Sequence, residues 1–437
     1  MTPVGKCASL LSNPESVRQD ANDSRHHSTR AIWLGAAAAS VAGYVISSQA
    51  LMDFPGWSMS AFGVAAVLAG ILFAGAVRRI WSIRIGKWIF VPLAFMGYCL
   101  VRCFGGMGVA TQLDTFAQMA SAFLGGIALA LALRAGVKFK TLVYAQIVAN
   151  LFQIAAVALG IGAARISDDA TFRYGGLTGN PNLLALQLTL GACLIWLMPR
   201  DAGVLPCAFS VVSVGFAVAV TGSRKAVLLA FFFLILGLVQ VVYLVPRSRR
   251  RLATLLAIAV PGLIGVFFGS WLFQKGVGFE AVQRLVDYQD SSFELRADMI
   301  QQGIRLWAQA PIFGNGLAAF QALSGQDTYA HNNYVELLCN LGVVGALLYY
   351  SIYGMVFIRS WHAPRHLRLY CRVLALALLV ADVGYVSYKS KQTIMLLMVL
   401  LMVATSRHGP RGHRSRRPRR PAKRVGELSV PRFIFRT

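Results

Sequence analysis

The chain is poor in charge and poorer still in acid: only 14% of its 437 residues are charged, and 17 of these are Asp or Glu. With 57% hydrophobic residues, that excludes an ordinary soluble globular protein, in which about 25% of residues are charged. Its seven cysteines, Cys7, Cys99, Cys103, Cys193, Cys207, Cys339 and Cys371, form no CxxC pair. Most lie inside apolar runs, so they read as small core residues rather than a disulfide framework or a metal site. No Gly-x-x-x-x-Gly-Lys loop is present to cradle a nucleotide, and Asp168 and Asp169 are adjacent rather than spaced as Asp-x-Asp. No His/Cys/Asp cluster has ligand spacing, so neither a metal nor another cofactor is expected.

What the chain has in abundance is apolar runs near ~20 residues long, the length that crosses a ~30 Å hydrocarbon core. They predict an all-α, polytopic helical membrane protein with about 12 transmembrane helices. The spans fall at Ala31–Ala50, Trp57–Val77, Trp88–Phe104, Leu113–Leu133, Thr141–Ile161, Pro181–Pro199, Val204–Val220 and Ala226–Val245, then Leu252–Phe273, Tyr334–Ile358, Leu369–Tyr388 and Gln392–Ser406. The last is short, so Lys389 and Lys391 beside it would have to snorkel. Residues 1–30 are polar and unpatterned and read as a disordered tail, residues 31–406 as the membrane body, and residues 407–437 as a basic tail. The net charge of +25 is concentrated there, eleven Lys/Arg lying between Arg407 and Arg436. Next to the last span, anionic lipid head groups are the nearest partner, and nucleic acid is not expected.

Basic loops give the orientation. Arg78 to Lys87, Arg134 to Lys140, Arg247 to Arg251 and Arg359 to Arg368 alternate with weakly basic loops, which places these four and both termini in the cytoplasm. Against that frame Arg165, Arg173, Arg224 and Arg296 stand on the wrong side, at outer span ends. Pairing with Asp168, Asp169, Asp287 or Asp290 suits Arg165; Arg224, wedged in the turn Thr221-Gly222-Ser223-Arg224-Lys225, has no such loop around it. Two acids, Glu336 and Asp382, fall inside spans, where an ionisable group is either functional or one half of a structural pair.

One long polar stretch interrupts the apolar chain, the outer loop Gln274–Asn333 between spans nine and ten. Its middle, Phe293–Gln309, has helical periodicity. Phe293, Ala297, Ile300, Gly303, Ile304 and Trp307 gather on one face, with Arg296 on its flank, and Asp298, Gln302, Arg305 and Gln309 gather opposite. An arginine on a packed face is costly unless an anion meets it, whereas Arg305 reads as a solvated charge. Pro311 stops the helix, Gly314-Asn315-Gly316 turns the chain, and Tyr329-Ala330-His331-Asn332-Asn333-Tyr334 leads into the tenth span.

Four stretches together resemble the O-antigen ligase and polymerase superfamily of bacterial envelope glycan assembly. Arg173-Tyr-Gly-Gly-Leu-Thr-Gly-Asn180-Pro181-Asn182 is similar to that family's entry to a span, and Thr221-Gly222-Ser223-Arg224 to its short outer Ser-x-Arg turn. Arg296…Trp307…Pro311…Gly314-Asn315-Gly316 and His331-Asn332…Leu337…Gly342…Gly345 resemble the start and exit of its long loop. The resemblance covers roughly Phe172–Ile358. It implies a glycosyltransferase in the bacterial inner membrane, with its active site facing the periplasm and no need of nucleotide sugar or metal. The donor would be a glycan on undecaprenyl diphosphate, and the acceptor lipid A-core or another glycan. Arg224 and Arg296 would hold the diphosphate and His331 would serve the acceptor, with Arg173, Asn180, Asn182, Asn332 and Asp382 as further substrate-binding candidates.

The residue chemistry agrees. Transfer expels a diphosphate, and arginine meets growing phosphate charge with permanent charge and a bidentate grip. Histidine, with an ordinary pKa near ~6.5, suits removal of a proton from an acceptor hydroxyl, and Asn332 or Asp382 would orient its ring. Polymerisation of the same carrier-linked glycan and transfer to protein are the alternatives within this class. A transporter or flippase is the alternative outside it; but its polar groups belong near the midplane in repeated broken helices, whereas here they gather at span ends and no internal repeat is visible.

Overall fold

The computed structural model describes residues 14–50, 57–78, 86–105, 108–165, 172–197, 204–244, 291–326 and 328–405. Among them α-helices dominate: α1 (Pro14–Ala50), α2 (Trp57–Val77), α3 (Phe90–Arg102), α4 (Val109–Ala135), α5 (Phe139–Ala158), α6 (Pro181–Leu197), α7 (Val204–Thr221) and α8 (Arg224–Leu244). After residues 245–290, outside the description, come α9 (Ser291–Gln309), the short α10 (Ala319–Leu323), α11 (Asn333–Arg359), α12 (Arg365–Ala381) and α13 (Lys391–Thr405). A small antiparallel ribbon, β1 (Ala163–Arg165) with β2 (Phe172–Tyr174), pairs Ala164 with Arg173. Stretches within α1, α4, α5 and α11 are long and apolar enough to cross a membrane, and this is a helical membrane protein. The expected ninth span, Leu252–Phe273, the loop start at 274–290 and the tail 407–437 lie outside the described residues.

Three departures from the sequence reading have physical causes. Residues 14–30, expected as a disordered tail, continue the first helix back to Pro14. The expected span Leu369–Tyr388 stops early, because α12 ends at Ala381 and residues 382–390 leave the helix. The last span is short because it touches protein throughout: every residue from Lys391 to Ala404 is buried. A helix apolar on all sides is a core helix, and its fifteen residues reach only ~22 Å. It packs against α4, α6, α11 and α12; at Gly126 of α4 a Cβ would come within 2.9 Å of Met398 Cγ, so α4 needs glycine there.

The neighbouring lysines do not snorkel. Lys391 is buried, and Lys389 Nζ lies 2.9 Å from Glu336 Oε1. Glu336, one turn inside α11, is therefore one half of a structural pair.

The helix α11 is broken nine residues from its start, where Gly342 takes φ 65° and ψ −170°. The freed backbone groups are met by the turn after α9. Val343 and Val344 donate to the carbonyls of Pro311 and Ile312, while Asn315 and Gly316 donate to those of Cys339 and Asn340. Two chains this close leave no room for side chains. A Cβ on Gly342 would lie 2.3 Å from Ile312 O, and one on Gly314 (φ 74°) 2.4 Å from Gly342 N. Tyr98 and Arg102 of α3 close the joint, Tyr98 Oη donating to Phe313 O and Leu341 O and an Arg102 terminal nitrogen to Gly314 O at 2.7 Å. The glycines at 314 and 342 thus build the frame that carries α9.

Candidate active site

The turn between α7 and α8 is the meeting point of the sequence motifs. Arg173 on β2 donates from Nε to the carbonyl of Thr221 at 2.7 Å. Ser223 Oγ donates to Asn182 Oδ1 at 2.8 Å, tying the start of α6 to the same turn. Gly222 takes φ 53°, which lets the chain reverse within two residues, and α8 begins at Arg224. The Arg224 side chain lies outside what the structure describes. Asn180 has a local use: its Oδ1 accepts from the backbone N–H groups of Asn182 and Leu183, at 2.9 and 3.4 Å, ahead of Pro181. An Asn cap before a proline is a standard helix start, and it fixes where Asn182 points.

The following residue, Lys225, was not a sequence candidate. Its Nζ lies 5.7 Å from the centre of the Tyr385 ring, and its Cε would be 3.1 Å from a Cβ on Gly384. Burial, and then the charge of Arg296, push the Lys225 pKa down to about 7; its amine and the half-buried guanidinium of Arg296 both bear electrostatically on His331. Neither has a carboxylate partner among the described residues, where the ion pair is Lys389–Glu336. The sequence signal was slight: a second basic residue directly after Arg224 at the same span entry.

His331 stands in the left-handed region at φ 53°, unusual for a residue with a side chain. Its ring packs on Tyr329 with centroids 4.3 Å apart, and Nδ1 is buried without a hydrogen-bond partner. Burial pushes its pKa down to about 4, and the positive charges of Lys225 and then Arg296 push the same way. The imidazole is therefore neutral at pH 7, with a lone pair to offer. That is a different setting from the ordinary value near 6.5 expected for a free histidine.

The proposed ring-orienting partners are engaged elsewhere. Asn332 caps α11, its Oδ1 accepting from Val335 N at 3.1 Å. Asp382 Oδ2 accepts from Asn333 Nδ2 and Tyr350 Oη, both at 3.1 Å, and its carbonyl accepts from Asn333 N at 2.8 Å. Asn333 Oδ1 in turn accepts from Ser387 and Tyr388 N–H. Asp382 is thus part of the brace that docks residues 382–390 onto the start of α11. That segment supplies Tyr385 to Lys225 and Lys389 to Glu336.

The helix α9 presents a slightly different face from the one periodicity suggests. Met299 and Gly303 are buried, whereas Ala297 and Ile304 are exposed. The packed stripe runs through Met299, Ile300, Gly303 and Leu306, onto Phe320, Ala330, Val335 and Cys339, with Arg296 half-buried one turn before Met299. A Cβ on Gly303 would lie 2.3 Å from Val335 Cγ1, closer than any side chain allows. Arg296 therefore lies in line with the packed stripe rather than on its flank, and Arg305 is exposed as expected. Trp307 is half-buried and donates to Pro311 O, closing the helix end.

Two half-buried basic side chains thus lie within electrostatic reach of a neutral histidine, a grouping whose chemistry suits an anion and a proton donor. Among the described residues no three His, Cys, Asp or Glu side chains come together as metal ligands. No curated protein matches the chain. Residues 208–350 match the family model described as O-antigen ligase. That segment holds Arg224, Lys225, Arg296, His331 and Asn332, while Arg173, Asn180, Asn182 and Asp382 lie beyond it. The segment from Ala208 to Tyr350 is thus similar to the O-antigen ligase family.

Proposed function

We propose that this protein is a metal-independent membrane glycosyltransferase that moves a glycan from undecaprenyl diphosphate to an acceptor such as lipid A-core. The observation that carries the reading is the convergence of Lys225 and Arg296 on His331 with no carboxylate to neutralise them among the described residues. Half-buried charge without a partner is costly, and an incoming diphosphate removes that cost. Arg224, at the head of the same helix as Lys225, is assigned to the same anion. Arg173 and Asn182 brace the turn that presents them.

In the reaction His331 takes the proton of the acceptor hydroxyl. The hydroxyl oxygen attacks the anomeric carbon, the bond from that carbon to the diphosphate oxygen breaks, and the electron pair leaves on undecaprenyl diphosphate. Negative charge grows on the leaving phosphate as the bond lengthens, so Lys225, Arg224 and Arg296 bind the transition state more strongly than the ground state. Binding of the diphosphate also offsets the two charges that depress His331, which strengthens the base when the donor is in place.

The alternation of basic loops supports twelve spans, cytoplasmic termini and a site facing the periplasm in the inner membrane. A single long loop, Gln274–Asn333, beside an outer loop of about nineteen residues at Gly162–Asn180 favours one carrier site and an acceptor arriving from the membrane plane. Ligation is therefore preferred to polymerisation, which needs two carrier-linked glycans at once. Deleting the gene separates the two. Full-length glycan accumulating on undecaprenyl diphosphate, with lipopolysaccharide lacking its outer polymer, is the ligase result. Single repeat units attached to core would make it a polymerase, and unchanged glycans on both would overturn the reading.

A further inference from the structure

Resting on the reading of His331 as the base, we propose that Glu336 is a positioning residue that holds His331 in its reactive conformation through the backbone N–H of Ala330. Nothing in the resemblance or the family match gives Glu336 a role. A left-handed conformation is unfavourable at a residue with a side chain, so His331 at φ 53° must be held there by its surroundings. The hold is visible one residue upstream. Ala330 N–H donates to Glu336 Oε2 at 2.9 Å, and both residues are fully buried.

The other oxygen of the carboxylate meets Lys389 Nζ at 2.9 Å. One side chain thereby ties together the loop carrying His331, the first turn of α11 and the segment between α12 and α13. That segment also places Tyr385 over Lys225 and is fastened to Asn333 by three backbone groups, at Asp382, Ser387 and Tyr388. On the far side Ala330 packs with Met299, Phe320, Val335 and Cys339, the cluster that also seats the stripe of α9 in line with Arg296. The carboxylate therefore joins the mount of the base to both walls of the anion site. It is too deeply buried to meet substrate, so it acts only through what it holds.

The test must remove the clamp without unfolding the protein. Deleting one member of a buried ion pair strands the other, whereas replacing both with apolar residues of similar size is often neutral or stabilising. Glu336→Leu with Lys389→Met is that variant, and Glu336→Gln with Lys389→Met is the conservative one, its amide oxygen still able to accept from Ala330 N–H. Full-length protein in native membranes is assayed by release of undecaprenyl diphosphate, with the host's own carrier-linked glycan as donor.

The apolar pair is expected to accumulate at wild-type level and to lose at least about tenfold in kcat, with KM for the donor changed less than about threefold. Adding His331→Ala to it should cost nothing further, because a base that is no longer held has little left to lose. Glu336→Gln with Lys389→Met should recover most of the rate. Full turnover in the apolar pair, a loss confined to KM, or losses that multiply with His331→Ala would overturn the clamp. Full activity in His331→Ala alone would overturn the base assignment instead, so the two failures are distinguishable.

Discussion

The Nε of Arg173 donates to the carbonyl of Thr221 at 2.7 Å, which fastens an irregular loop to the last residue before the turn that presents Arg224 and Lys225. A loop arginine that looks out of place in sequence thus acts on the placement of two others. Arg173→Lys, which keeps the charge but has no Nε in that place, should lower turnover less than Arg224→Ala while leaving protein level unchanged. Equal losses in the two variants would mean that Arg173 contacts substrate directly.

Arg296 and Arg305 lie on one helix and differ in burial. Arg296→Ala should remove most turnover, about 2–4 kcal/mol by analogy with the loss of one preorganised donor, and Lys225→Ala should do the same. Arg305→Ala should be nearly silent, since its side chain is exposed. Rates measured with expression controlled decide this, and an inactive Arg305→Ala beside an active Arg296→Ala would reverse the assignment of faces on α9.

The depressed His331 has a definite pH signature. Its pKa is lowered from 6.5 to about 4 by burial and the two cations, so the folded protein binds this proton less readily than the unfolded chain. Its contribution to stability is therefore lost as pH falls from about 6.5 through about 4. In kinetics the acid limb of kcat/KM, which reports the free enzyme, should lie near pH 4. The limb of kcat should lie higher, because bound diphosphate offsets Lys225 and Arg296. A kcat/KM limb near pH 6.5 that vanishes in His331→Ala would show an imidazole free of that field.

The joint between Gly314 and Gly342 is a stability element. Gly342→Ala adds backbone strain of about 1–3 kcal/mol at φ 65° and ψ −170° to a collision with the Ile312 carbonyl 2.3 Å away, so membrane levels should fall sharply. Gly354, where a Cβ meets nothing within 4 Å, is the control. Normal accumulation of Gly342→Ala would mean that the break in α11 is not fixed by this contact.

Much of the site was legible in the sequence because its parts are polar residues at the ends of apolar runs, where a charge must have a reason. Arg173, Asn182 and Ser223 meet at the turn between α7 and α8, and Arg296 bears on His331. What was not legible is long-range. Nothing local says that Glu336 pairs with Lys389 across 53 positions, or that Asp382 braces Asn333 and Tyr350 instead of His331. The phase of α9 was misjudged because Ala297 and Ile304 look apolar, while the packing rows are decided by Gly303 against Val335. The short last helix was correctly bounded and misread, since its burial by protein depends on α4, α6, α11 and α12.

The most direct measurement is the binding of undecaprenyl diphosphate to three forms of the full-length protein in nanodiscs, paired with their transfer rates. His331→Ala is expected to bind the carrier within about threefold of wild type and to transfer little. Lys225→Ala with Arg296→Ala should lose about a hundredfold or more in carrier affinity, a difference of about 2.7 kcal/mol. Wild-type affinity in the double variant, or loss of binding with normal transfer at saturation in His331→Ala, would contradict a site in which cations hold the diphosphate and the histidine serves the acceptor.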